Sequence, residues 1–79
     1  MAKVKDWQWK CDYPGDDIKK VSMAGEQCGP ACDAHPTCTH FTYNLVDRIC
    51  YFKRSSRYKA SVYSENNICG RVCGAVNGC

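Results

Sequence analysis

Eight cysteines in a chain of 79 residues constrain this protein more than any other feature. So short a chain buries too little apolar surface to rest on a hydrophobic core alone. Roughly one cysteine in ten residues is the density at which a disulfide scaffold becomes the first reading. An even count allows complete pairing, and pairing needs an oxidising compartment. The expectation is one small, secreted, disulfide-held domain. The start, MAKVKDWQWK, has no apolar run of secretory length, so the chain is read as a mature domain or recombinant product with Met1 added after signal removal. A native cytosolic start would weaken the disulfide reading. No stretch approaches a membrane span. The net charge of +3 is mild and by itself names no partner.

Ligand and nucleophile roles for the cysteines fare less well. Structural zinc sites pair their ligands two to four residues apart and repeat the pair later. Here Cys28 and Cys32 have three residues between them, as do Cys69 and Cys73, but no Cys-x-x-Cys occurs, and His35 and His40 are not followed by further ligands. A catalytic thiol must first be unpaired, and eight cysteines allow four bridges. His35, beside Pro36, reads as a solvated histidine near a helix end. His40 alternates with Phe41 and Tyr43, which places it on the opposite face of a strand. No Ser/His/Asp set, glycine-rich phosphate loop or helically spaced carboxylate pair stands out, and Asp16 and Asp17 read as turn residues beside Pro14 and Gly15. Neither an enzyme nor a cofactor is expected.

Along the chain, Trp7 and Trp9 alternate with polar neighbours and share one strand face. Pro14-Gly15 predicts a turn. The stretch IKKVSM reads as extended, with Ile18 and Val21 as inward anchors. Residues 26–34 read as a short helix that brings Cys28 and Cys32 to one face. Pro30 is tolerated only in a first turn, which moves the expected start to Gln27 or Cys28, and Pro36 ends the helix. CTHFTYN and ICYFKR, separated by NLVDR, predict an antiparallel hairpin. A basic connector, KRSSRYK, leads to a strand at ASVYS, and ENN is read as a turn into ICGRVCG. The fold class is α+β: one short helix stapled to a four- or five-stranded antiparallel sheet.

The run GDDI, then Cys-x3-Cys-x5-Cys, then HFTYN, then CYFK resembles the PAN/apple domain over residues 11–70. Residues 1–10 then form an amino-terminal extension or first strand, and residues 71–79 a carboxy-terminal tail. The resemblance implies bridges Cys28–Cys50 and Cys32–Cys38, and a bridge joining the termini, Cys11–Cys69. Cys73–Cys79 is left to close the tail, with Cys11–Cys73 as the alternative for the terminal bridge. It also implies a non-enzymatic extracellular binding module for proteins or glycans, with no shared ligand site to carry over.

Two candidate surfaces follow from residue types. One is aromatic: Trp7, Trp9 and Tyr13, whose ring faces suit stacking against a sugar. The plainer reading, that these rings pack as core, carries weight because large aromatics are usually buried. The other is basic: Lys53, Arg54, Arg57 and Lys59, with Tyr58 among them, where arginine forks suit sulfate or carboxylate. A solvated loop is its plain alternative. The function expected is a monomeric, secreted recognition or adhesion module for a glycan, sulfated or acidic in the case of the basic segment, or for a glycosylated protein surface. A small effector or inhibitor that blocks a host protein is the alternative. No specific nucleic acid is expected as a partner.

Overall fold

A computed structural model of the chain describes residues 4–55 and 60–72. Five strands and one helix follow in the order β1 (Val4–Asp12), β2 (Asp17–Ser22), α1 (Gly25–Ala34), β3 (His40–Asn44), β4 (Ile49–Lys53) and β5 (Val62–Val72). The strands form one antiparallel sheet in the order β1-β5-β3-β4-β2. The helix lies across one face.

The alternation in β3 and β4 sets that face. Phe41 pairs with Phe52 and Tyr43 with Cys50, so all four side chains point towards α1. With Ile68 and Val72 of β5 they form the main core, which Cys28 and Cys32 of the helix complete. Three disulfides cross this small body: Cys28–Cys50 and Cys32–Cys38 fasten α1 to the hairpin, and Cys11–Cys69 ties β1 to β5. These are the pairs that the resemblance implies. A Cys11–Cys73 bridge is thereby ruled out, and Cys73–Cys79 lies outside the described residues. At Gly29 α1 packs close to β1: a Cβ there would stand 2.7 Å from Val4 Cγ2.

Four sequence expectations need correction. The helix begins at Gly25, not at Gln27 or Cys28, so Pro30 lies inside it. The ring removes the bond to the Glu26 carbonyl, but both residues are exposed and solvent can satisfy that acceptor. Ile18 is 43% exposed rather than an inward anchor. It falls in a register shift of the edge strand β2, between Asp17, opposite Lys53, and Lys19, opposite Phe52. ENN does not turn. It is a bulge within β5, where residues 64–67 stand against Lys10 alone in the pairing with β1. Leu45 N–H donates to the Asn66 carbonyl at 2.8 Å and Asn44 Nδ2 to Asn67 Oδ1 at 3.1 Å, which draws the bulge towards β3. Finally, His35 is half-buried rather than solvated: it caps α1, its ring meets Phe52 edge-on at 5.4 Å, and Nδ1 accepts from Thr37 N–H.

Candidate functional site

The face of the sheet turned away from α1 carries the polar half of the same alternation. His40, Thr42 and Asn44 of β3 stand beside Lys53, Tyr51 and Ile49 of β4, and Asn67 and Cys69 of β5 continue the rows. Such residues would ordinarily be solvated. Here the chain between β1 and β2 folds over them. Gly15 (φ 80°) and Asp16 (φ 61°) take left-handed conformations that turn the chain back. Tyr13 is buried against Cys11 and Cys69; its N–H donates to Thr42 Oγ1 at 3.3 Å, and its ring meets His40 edge-on at 5.0 Å.

Lys53 is the pivot of this arrangement. Only 3% exposed, its Nζ donates to the Gly15 carbonyl at 3.1 Å and forms an ion pair with Asp17. Burying an ammonium is costly unless it is paired and hydrogen-bonded, and the β1–β2 loop and the start of β2 supply the two partners. Between the loop and the sheet lies an open cleft of about 350 Å³. Asp12 and Asp17 line it together with Thr42, Tyr51, Lys53, Asn44 and Asn67. The Asn44 side chain also caps the hairpin turn, accepting from Val46 N–H at 2.9 Å and Asp47 N–H at 2.7 Å.

The sequence-predicted site residues are dispersed. Trp7 and Trp9 stand exposed on the edge strand β1, in edge-to-face contact with ring centroids 5.0 Å apart. Trp9 is opposite Ile68, whose side chain belongs to the core under α1, so it does not face the cleft. Tyr13 is buried beneath the β1–β2 loop and is separate from that pair. Lys53 points into the protein rather than into a basic patch. Arg54 is exposed, at a second depression that it shares with Asp16, Asp17, Ile18 and Ser55. Arg57, Tyr58 and Lys59 lie outside the described residues. Sequence reasoning missed the cleft, because Asp17 and Lys53 meet only through the β2–β4 pairing.

A model of the PAN domain matches residues 11–79, and the chain belongs to the PAN domain family. PAN domains in general bind proteins or carbohydrates, and they are typically non-enzymatic. No curated protein matches the chain. The disulfides are of the kind that form in extracellular compartments. Among the described residues no helix is long and apolar enough to cross a membrane, and no group of three or more metal-ligating side chains converges.

Proposed function

We propose that this chain is a secreted, monomeric, non-enzymatic recognition module that binds a glycan or a glycosylated protein surface. The observation that carries this reading is the Trp7–Trp9 pair. Tryptophan is among the most buried side chains on average, yet these two are 46% and 61% exposed side by side on an ordered strand. In an edge-to-face pair only one face of one indole is taken by the partner. The remaining faces suit a sugar ring, whose C–H groups meet the negative π surface, and they also suit the apolar contacts of a protein carrying that sugar. Rigid aromatic anchors of this kind concentrate binding energy.

A glycan array probed with the intact chain tests the proposal. Specific signals are expected, and Trp7→Ala with Trp9→Ala should lower them at least about tenfold at an unchanged melting temperature, since exposed positions contribute little to stability. Silence across the array, with tight binding to an unglycosylated protein target, would overturn it in favour of the effector or inhibitor reading.

A further inference from the structure

We infer that the cleft opposite the helix is a second site, and that it takes a neutral, polyhydroxylated ring: a hexose-type sugar without sulfate or carboxylate. This rests on the reading that the chain recognises a glycan, and it adds a site on the face of the sheet away from Trp9.

The hydrogen-bonding capacity left over in the cleft defines the ligand. The carboxylate of Asp12 is half-buried and receives no hydrogen bond among the described residues. The Tyr51 hydroxyl likewise has no partner among them. Thr42 Oγ1 accepts from Tyr13 N–H and keeps its own proton to donate. Lys53 directs protons to Gly15 and Asp17, and its ammonium lies 5.8 Å from the centre of the Tyr51 ring. Acceptors and donors thus alternate around one small space, which is the complement of adjacent sugar hydroxyls, each of which both donates and accepts. Tyr51 adds a ring beside them.

Charge excludes the alternatives. Two carboxylates, Asp12 and Asp17, face a single ammonium already committed to one of them. A sulfated or carboxylated ring would bring like charge against Asp12, and among the described residues lining the cleft no second cation meets it. A cationic ligand would meet Lys53. A neutral ring meets neither obstacle.

The test is a titration of the intact, uniformly labelled chain followed by amide NMR shifts, with glucose, galactose, mannose, N-acetylglucosamine and heparin as separate probes. At least one neutral sugar is expected to shift Thr42, Tyr51 and Lys53, and heparin to leave them in place. Asp12→Ala should weaken that sugar at least about tenfold, as expected when a charged acceptor is lost. Tyr51→Phe, which keeps the ring, should weaken it less. Heparin shifting the cleft, or neutral sugars binding equally well to the Asp12→Ala chain, overturns the assignment. Array signals that depend on the tryptophans, with no neutral sugar in the cleft, overturn this inference and leave the recognition reading standing. A chain that binds no glycan by either method overturns both.

Discussion

Under α1, Cys28, Phe41, Cys50 and Phe52 pack without a charged side chain among them; on the reverse of the same strands His40, Thr42 and Lys53 are buried almost as completely. The two faces exclude water by different means. The helix face uses apolar bulk and two disulfides, and its cohesion scales with the area removed from water. The reverse face uses one disulfide, one tyrosine and a loop whose carbonyl and carboxylate satisfy a buried ammonium. Its cohesion therefore depends on pairing, which is lost all at once when a partner goes. A polar ligand fits the second face better than the helix face, because polar groups there are held in place and, among the described residues, partly unspent.

The largest effect that can test this comparison comes from the disulfides. In the chain-entropy account, the 58-residue separation of Cys11–Cys69 contributes about 4 kcal/mol, the 22 of Cys28–Cys50 about 3 and the 6 of Cys32–Cys38 about 2. Replacing each pair with alanine should lower the melting temperature in that order, by about 4–8 °C for each kcal/mol in a domain of this size, as followed by circular dichroism. If losing Cys28–Cys50 proves worse than losing Cys11–Cys69, apolar packing under the helix outweighs loop closure, and the polar face is the weaker half.

How far each face was legible in the sequence follows the same division. The helix face was readable because its signals are local. Cysteines four apart share a helix side, and Phe41 and Tyr43 alternate within five residues of strand. The orientation of His40 away from them was readable too, but not its burial, since Tyr13 reaches it from another strand. Lys53 illustrates the limit. In the run KRSSRYK it looks like one charge among four, whereas its environment is set by Asp17 and Gly15, brought to it by pairing distant in sequence. The bulge at Asn66 and Asn67 misled for a similar reason: asparagines favour turns, and these two are bonded to the β3–β4 hairpin from within β5.

A smaller effect probes the pairing itself. Asp17→Ala leaves the Lys53 ammonium with the Gly15 carbonyl and, at 5.8 Å, the Tyr51 ring. Breaking a fully buried pair costs about 3–5 kcal/mol. The Asp17 side chain is 51% exposed, so solvent compensates in part, and a loss of about 1–2 kcal/mol in urea unfolding is expected. Adding Lys53→Met should restore most of it, since no charge is then left buried. If Asp17→Ala alone is neutral, the ion pair does not hold the loop and the two faces differ less than the burial of Lys53 implies.

The smallest effect concerns the basic connector, the segment whose residue types suggested an acidic polysaccharide. Lys53 is committed inside the protein, and Arg54 is the next cation along, exposed beside the acidic pair Asp16 and Asp17. Those carboxylates oppose an anionic ligand at short range, while exposed charges more than about 10 Å away are largely screened in 0.1 M salt. Arg54→Ala should therefore shorten heparin-column retention only slightly, with stability unchanged within about 0.5 kcal/mol, as for surface positions in general. The residual retention should fall with added salt, as diffuse attraction to a chain of net charge +3 does. A large loss of retention from this one change, at unaltered stability, would place an anionic ligand at the end of β4, apart from both the tryptophan pair and the cleft. The comparison between the two faces would then describe how the domain is held together, but not where it binds.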